Sequence, residues 1–370
     1  MADAPVTLFV AGDVMTGRGV DQIQRHPSPP ELHEPYVKDA RDYVRLAEDV
    51  CGAVPRAVDP AYIWGEALDE WDRRAPAARI ANLETSITRS GKYDARKGIH
   101  YRMHPANIAC ITAARFDVCV LANNHVLDFD RAGLVETLET LERHGVLAAG
   151  AGRSLADASR PAVLPIRGGG RLAVGAWGHE SSGVPDDWAA STDEPGVHVL
   201  RDLSGERAGA AAAVLAGTKR AGDIAVASIH WGGNWGYDVP SAHVDFAHRL
   251  IDGGVDLVHG HSSHHVRPME IYRGRLILYG CGDFINDYEG ITGYERYRDD
   301  LTLMFFPVLD AASGRLLSLD LVPMQIRRLR LNRASAEDAR WVRDTLNRIT
   351  APFGAGASLT AGGALAVDAG

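Results

Sequence analysis

Short apolar runs, each closed by glycine or polar residues, recur along the chain. Runs rich in Val, Ile, Leu and Ala with such boundaries predict buried β-strands. The predicted strands are Val6–Ala11, Arg79–Leu83, Asp117–Leu121, Leu172–Trp177, Ile224–Ile229, Val255–Val258 and Leu276–Tyr279.

Between several of these runs, apolar residues recur at helical spacing. Arg131–His144 places Leu134, Leu138 and Leu141 on one helix face, and His243–Asp252 shows the same pattern. Strands that alternate with helices predict an α/β fold in which helices cover the sheets.

Two later apolar runs follow one another without a helical pattern between them. These runs, Leu301–Val308 and Leu316–Val322, predict an antiparallel pair. Because the earlier strands alternate with helices, we expect the sheets of this α/β fold to be mixed.

The chain organisation predicted from these patterns is one domain over residues 1–330. A Pro-rich stretch at 25–60 separates the first two predicted strands and marks an insertion or lid at about 22–78. A terminal helix is expected at 331–350, with Ser335 as its candidate N-cap. Residues 351–370 are mostly Ala and Gly and predict a disordered tail.

The charge balance argues against a nucleic-acid partner. The 370 residues include 39 Lys+Arg and 48 Asp+Glu, a formal charge of −9, whereas nucleic-acid binding needs a basic surface. The sequence holds neither an apolar run of about 20 residues nor an export signal, and its first predicted strand begins at Val6. We therefore expect a cytoplasmic protein without a membrane anchor. Four scattered cysteines predict neither a disulfide framework nor a zinc knuckle.

Polar side chains of the types that bind metals follow the predicted strands one after another. In open α/β sheets, ligands bind beyond the carboxyl ends of the strands, so these residues are expected to converge on one site. The candidates at these strand ends are Asp13, Asn82, Glu84, Asn123, Asn124, His125, His230, His259, His261 and His264.

Carboxylate, amide oxygen and imidazole together suit Mn²⁺, Fe²⁺ or Zn²⁺. Two such ions about 3.5–4 Å apart can share a carboxylate and activate a water molecule. Each motif alone also has a structural interpretation: Asp13 as a turn or N-cap residue, Asn123–His125 as a turn, and His230 as a core imidazole. The ordered set of motifs favours a metal site with two divalent ions.

Five segments carry a resemblance to a known family. Gly12–Arg18, Asn82–Thr85, Leu121–Asp128, His230–Gly232 and Gly260–His264 are similar to segments of the CapA/PgsA family of poly-γ-glutamate capsule biosynthesis proteins. That family resembles the calcineurin-like metallophosphoesterases. The resemblance implies a four-layer α/β/β/α sandwich with mixed sheets and a two-metal site at one edge.

The resemblance also implies roles for the candidate ligands. Asp13 and His264 would hold the first metal, and Glu84 would bridge the two. Asn124 and His230 would hold the second metal together with His261.

The residues around these ligands would act on the substrate. His125 would protonate the leaving group, with Asp128 orienting its ring. Arg18 and Arg102 are candidate clamps for an anionic substrate, since guanidinium binds carboxylate or phosphate in bidentate fashion. The alternative role for both arginines is a structural ion pair.

The sequence departs from the phosphoesterase pattern in three ways. Met15 stands where a ligand histidine is usual, Glu84 replaces an aspartate, and His261 and His264 are spaced His-x-x-His rather than His-x-His. Four nearby residues can compensate for the missing ligand, and the sequence does not choose among them. They are His259, His265, Asp283 and Asn286.

These residues predict a metal-dependent hydrolase in which a metal-activated water attacks a γ-glutamyl-type amide or a phosphoester. The substrate would be an anionic small molecule or oligomer. Two alternatives stay open. The same residues can form amide bonds on glutamyl chains, although the sequence has no Gly-x-x-x-x-Gly-Lys-[Ser/Thr] loop for ATP. The protein can also be a non-catalytic accessory subunit of poly-γ-glutamate assembly.

Overall fold

A computed structural model describes residues 5–167 and 170–367, and it has the mixed α/β fold that the sequence predicts. The strands are β1 (Val6–Val14), β2 (Ala78–Leu83), β3 (Ser86–Ile87), β4 (Arg102–Met103), β5 (Val118–Val120), β6 (Leu147–Ala149), β7 (Ala151–Gly152), β8 (Ala162–Pro165), β9 (Arg171–His179), β10 (Gly196–Val197), β11 (Val199–Leu200), β12 (Ile224–His230), β13 (Leu257–His261), β14 (Met269–Tyr272), β15 (Arg275–Leu278), β16 (Asp283–Ile285), β17 (Leu301–Leu309), β18 (Leu316–Ile326), β19 (Leu331–Arg333), β20 (Ala357–Leu359) and β21 (Leu365–Val367). The helices are α1 (Arg18–Gln22), α2 (Arg41–Cys51), α3 (Ala67–Arg74), α4 (Ala109–Ala113), α5 (Asp130–Arg143), α6 (Leu155–Ala158), α7 (Gly205–Thr218), α8 (Ser241–Asp252) and α9 (Ala336–Thr350).

The larger of the two main sheets has β1 near its middle. Its strand order is β20-β21-β18-β17-β1-β2-β5-β6, with β16 also paired to β1 and β19 to β18. β1 runs parallel to β2 and β16 but antiparallel to β17, and β17 and β18 form an antiparallel pair. The predictions of mixed sheets and of the late antiparallel pair are therefore confirmed.

The second main sheet has the order β11-β9-β12-β13-β15-β14, with β8 paired to β9. β12 is parallel to both β9 and β13. The carboxyl ends of β12 and β13 consequently lie side by side, which sets the position of the histidines that end these strands.

Side chains on the two faces of the second sheet belong to two different buried clusters. On β12, Val226 belongs to a cluster that includes side chains of β1, whereas Ala225 and Ala227 belong to a cluster with α7 and α8. Since side chains alternate along a strand, this division follows from the period of two. One face of the second sheet therefore packs with the first sheet and the other with two helices.

The segment at 22–78, predicted to be an insertion or lid, contains α2 and α3. Trp64 and Trp71 from this segment are fully buried in the main core. The ring of Trp71 meets that of Phe9 on β1 edge to face, with centroids 5.2 Å apart. This part of the segment is thus anchored to the first sheet.

The prediction of a disordered tail at 351–370 is wrong for residues 357–367. β20 and β21 pair with each other, and β21 pairs with β18. Leu365 and Val367 are buried, so this Ala/Gly-rich segment carries enough apolar surface to complete the sheet edge. The preceding helix α9 begins after Ser335, whose side chain accepts a hydrogen bond from the backbone N–H of Asp338.

Over residues 5–167 and 170–367, the structure has no helix that is long and apolar enough to cross a lipid bilayer.

Candidate metal centre

Strand pairing brings carboxylates and histidines to one place between the two main sheets. On the first sheet, Asp13 of β1 is in register with Asp283 of β16. On the second, His230 of β12 is in register with His261 of β13. All four side chains are buried, so each sheet contributes a pair of ligand-type groups to a shared interior.

Two groups of potential metal ligands share Asp13. Asp13, His230 and His261 form one group, and Asp13, His264 and Asp283 form the other. Within each group, one ligand atom from every residue lies within 4.8 Å of the others. The resemblance implied Glu84 as the shared residue, but Asp13 is the residue that belongs to both groups.

Glu84 lies beside these groups rather than in either of them. Its Oε1 is 3.9 Å from Nε2 of His230 and 3.8 Å from Nε2 of His125. Nδ2 of Asn82 donates to Oδ1 of Asp13 at 2.7 Å and to Oε2 of Glu84 at 3.1 Å. Asn82 therefore holds the two carboxylates next to each other.

The crowding of buried carboxylates has an electrostatic consequence. Burial and the charge of Asp283 raise the pKa of Asp13 to about 7. Burial and the charge of Asp13 raise the pKa of Glu84 well above its ordinary value. A divalent cation relieves this repulsion, and the carboxylate and imidazole donors suit Mn²⁺, Fe²⁺ or Zn²⁺. The residues therefore fit a metal ion.

Asp283, one of the four residues that can compensate for the missing ligand, falls within a group of potential metal ligands. Nδ1 of His264 lies 2.9 Å from Oδ1 of Asp283, while Nδ2 of Asn286 donates to Oδ2 of Asp283 at 2.7 Å. Burial opposes protonation of His264, but the carboxylate of Asp283 outweighs burial and raises the pKa of His264.

The two other candidates for compensation make different contacts. Nε2 of His259 lies 2.8 Å from the carbonyl oxygen of Ala11. His265 accepts a hydrogen bond from the backbone N–H of Gly236 at Nε2, and its Nδ1 lies 2.9 Å from the carbonyl oxygen of Val266. Since both ring nitrogens of His265 have protein partners, neither faces the ligand groups.

The two asparagines that precede His125 do different things. Asn123 accepts hydrogen bonds from the backbone N–H groups of His125 and Val126 through Oδ1, which shapes the turn. Asn124 instead turns its Oδ1 to within 3.0 Å of Nε2 of His230. The turn interpretation thus describes Asn123, and Asn124 lies at the candidate centre.

His125 and Asp128 form a close pair at the edge of the centre. Nδ1 of His125 is 2.6 Å from Oδ2 of Asp128, and Nζ of Lys97 contacts the other oxygen of Asp128. Burial lowers the pKa of His125 to about 4 against the opposing effect of Asp128. The imidazole is therefore neutral near pH 7, with Nε2 toward Glu84.

Arg18 does not have the free guanidinium that an anion clamp requires. It is buried, with Nε and Nη2 donating to the carboxylate of Asp287 at 3.1 and 2.5 Å. Nη1 donates to Glu34 and to the hydroxyl of Tyr43, each at 3.0 Å. The prediction of Arg18 as a substrate clamp is wrong, because protein carboxylates occupy its donors.

Arg102 makes its hydrogen bonds with loop carbonyl groups. Its Nη1 donates to the carbonyl oxygen of Ser90 at 2.8 Å and its Nη2 to that of Pro29 at 3.2 Å. The guanidinium carbon lies 4.7 Å from the ring centre of Phe129. Since these partners are neutral carbonyl groups, the role of Arg102 as a clamp stays a prediction.

Two residues at the centre were missed from the sequence, Lys97 and Tyr101, and Tyr288 lies with them. The Tyr101 ring meets the His125 ring edge to face at 4.6 Å, and its hydroxyl donates to that of Tyr288 at 3.2 Å. The Tyr288 hydroxyl is 3.4 Å from Nε2 of His264. Asn124, Lys97 and Tyr288 are partly exposed, so they mark the side from which a substrate can approach. Lys97 and Tyr101 lie in loop sequence without a strand signal, whereas Tyr288 follows β16 as the other candidates follow their strands.

Comparison with known proteins relates residues 7–288 to the family described as bacterial capsule synthesis protein PGA_cap. A protein of Mycobacterium tuberculosis, named as a probable polyglutamine synthesis accessory protein, is 51% identical over 350 residues, which is 94% of this chain and 92% of that protein. The PGA biosynthesis protein CapA of Bacillus subtilis is 28% identical over 238 residues, 63% of this chain and 58% of its own. The capsule biosynthesis protein CapA of Bacillus anthracis is 22% identical over 331 residues, 87% of this chain and 68% of its own.

Proposed function

The chain belongs to the PGA_cap family of bacterial capsule synthesis proteins, and from this premise we propose that it is a metal-dependent hydrolase of glutamyl amide bonds. The observation that carries the proposal is the pair of ligand groups that share Asp13, with His125 and Asp128 beside them. A closed structural metal site needs no such neighbouring proton carrier.

The proposed architecture is the four-layer α/β/β/α sandwich of the metallophosphoesterases. The division of side chains between two buried clusters supports it, because one face of the second sheet packs with the first sheet and the other with α7 and α8. Ligand groups at the meeting point of two sheets are what this architecture would provide.

Two divalent ions are proposed at the two ligand groups. Asp13 would serve both, with His230 and His261 on one side and His264 and Asp283 on the other. Asn124 and Glu84 lie close enough to His230 to join the ligand set. When bound, such ions activate a water molecule and neutralise charge that develops on the oxygens of the reacting centre.

The proton transfer is assigned to His125. Its Nδ1 donates to Asp128, which fixes the ring and leaves Nε2 facing Glu84. Because the imidazole is neutral near pH 7, Nε2 would first accept the proton of the attacking water. It would then give that proton to the departing amine nitrogen.

The choice of an amide over a phosphoester rests on the relatives. Arg18 and Lys97 lie beside the centre and are each bound to a carboxylate of the protein. Their engagement does not separate the two substrates, because guanidinium and ammonium groups bind carboxylate and phosphate alike. The names of the relatives, which refer to polyglutamine or PGA synthesis, point toward a glutamyl chain.

A second candidate function is a non-catalytic role in assembly of a glutamyl polymer. The observation that favours it is the name of the relative that is 51% identical, which describes an accessory protein. In that case the ligand groups would hold a metal without turnover.

Hydrolysis assays on protein loaded with Mn²⁺ or Zn²⁺ distinguish these functions. The substrates are γ-glutamyl-p-nitroanilide, poly-γ-glutamate followed by amine release, and bis-p-nitrophenyl phosphate. We expect metal-dependent amide hydrolysis that falls about 100-fold or more in His125→Gln, with metal content unchanged. Asp13→Ala removes the residue that both ligand groups share and should lose both metal and activity, whereas Glu84→Ala should weaken metal binding.

His144→Gln and Glu142→Ala are the matched controls, since both residues are exposed, and both variants should behave as wild type. An active Asp13→Ala protein would refute the catalytic proposal. Metal binding without turnover on any of the three substrates would favour the accessory role.

A further inference from the structure

Four polar residues form a square on one face of the second sheet. Ser228 and His230 are two residues apart on β12, and His259 and His261 are two residues apart on β13. Ser228 is in register with His259, and His230 with His261. Because side chains two apart on a strand share a face, all four point toward the first sheet, as Val226 does.

Hydrogen bonds connect these residues in a line that starts on the first sheet. Nε2 of His259 lies 2.8 Å from the carbonyl oxygen of Ala11, two residues before Asp13. The hydroxyl oxygen of Ser228 lies 3.0 Å from Nδ1 of His259 and 2.9 Å from Nε2 of His261. Nδ1 of His261 is then left facing the ligand groups, 3.8 Å from Oδ1 of Asp13.

The proton positions along this line follow from what each atom can do. A carbonyl oxygen only accepts, so Nε2 of His259 carries a proton and Nδ1 of this neutral ring is an acceptor. Ser228 therefore donates its single proton to His259. Its oxygen must accept from His261, which puts the proton of His261 on Nε2.

We propose that Ser228 and His259 are positioning residues that hold His261 as its Nε2-protonated tautomer and thereby fix Nδ1 as its metal-binding nitrogen. The inference rests on the metal site of the proposed function. In metal sites, the second ring nitrogen of a ligand histidine is usually held by such a partner, which sets ring orientation and tautomer.

The arrangement gives His259 a role other than that of a ligand. Its ring connects the backbone of β1 with Ser228, which in turn contacts His261 of β13. This chain of hydrogen bonds therefore fixes the position of His261 relative to Asp13. Nδ1 of His230 lies 2.8 Å from Nδ1 of His261. A cation between these atoms and Asp13 would be bound by the lone pair on Nδ1 of His261, which the hydrogen bonds of Ser228 and His259 have already oriented.

The test reads the tautomer and the metal affinity directly. In chelator-treated protein labelled with ¹⁵N-histidine, long-range ¹H–¹⁵N spectra should show a protonated Nε2 and an unprotonated Nδ1 for His261, assigned with a His261→Asn variant. In Ser228→Ala, exchange between tautomers should draw the two ¹⁵N shifts toward each other. Calorimetric titration with Zn²⁺ should show an affinity about 10- to 100-fold below wild type.

Ser263→Ala is the matched control. Ser263 is as buried as Ser228 and follows His261 closely, but its hydroxyl donates to the carbonyl oxygen of His265. A protonated Nδ1 on His261 of the wild type would overturn the inference, even if Ser228→Ala failed to fold. So would equal Zn²⁺ affinities for the Ser228→Ala and Ser263→Ala variants. A wild type that binds Zn²⁺ without hydrolysing any substrate refutes the proposed function alone, because neither readout here depends on turnover.

Discussion

Asp13→Asn tests the shared carboxylate, because the substitution should change stability differently with and without metal. In metal-free protein, burial and Asp283 raise the pKa of Asp13 from 3.8 to about 7. Since the folded-state pKa exceeds the unfolded one, the folded protein binds more protons, and its stability falls as pH rises between these two values. At about 1.4 kcal/mol per pH unit, ionised Asp13 costs the wild type about 4 kcal/mol at pH 8.

The asparagine variant lacks this loss because an amide does not ionise. It gives up about 1 kcal/mol at every pH for a weakened hydrogen bond with Asn82 or Ser262. An unfolding entropy of about 2.1 cal/mol/K for each of the 370 residues converts 1 kcal/mol into about 1.3 °C of Tm. Relative to wild type, the Tm of the variant in chelator should therefore rise by about 5 °C between pH 4 and pH 8.

Bound metal should make the Tm of the wild type higher than that of Asp13→Asn. An ion at a hundred times its Kd stabilises the folded state by about 2.7 kcal/mol, so two ions contribute about 5 kcal/mol. The wild type should gain about 7 °C in Tm, and Asp13→Asn should gain little. Differential scanning calorimetry with chelator and with Mn²⁺ measures both effects, with Asp193→Asn at an exposed position as control. Equal metal-induced gains in Asp13→Asn and wild type would refute the shared-ligand assignment.

Two further predictions concern Arg18 and the C-terminal strands, for which the structure differs from the sequence-based prediction. Arg18→Met leaves the buried carboxylate of Asp287 without its partner, and urea unfolding should show a loss of about 3–5 kcal/mol. Deletion of residues 354–370 removes Leu365 and Val367 from the core, and the same measurement should show a loss of about 3–6 kcal/mol at about 1.5–3 kcal/mol per buried side chain.

Arg41→Met is the control for the first of these, because the Arg41 side chain is 60% exposed. A loss below about 1 kcal/mol in Arg18→Met would show that its ion pair is not buried as described. Full stability of the truncated chain would contradict the pairing of β21 with β18.

Much of the fold was readable from local pattern. Each predicted strand overlaps an observed one, although Val255–Val258 proved to be Leu257–His261, two to three residues further on. Boundaries shift because backbone pairing sets the ends of a strand, and β13 takes its register from β12. The Ala/Gly-rich tail was misjudged for a related reason, since a few apolar residues suffice for a strand once β18 offers an edge.

The sequence by itself determined which residue types end the strands of this protein, and hence that carboxylates, asparagine and histidines would gather at one site. Only the tertiary structure decided which of their atoms face one another. It placed Asp283 with Asp13 and His264, and it engaged Arg18 with Asp287, 269 residues away in sequence. The physical reason is that hydrophobic periodicity is a local property. Whether a polar atom remains available for a ligand depends on partners that the fold brings from distant parts of the chain.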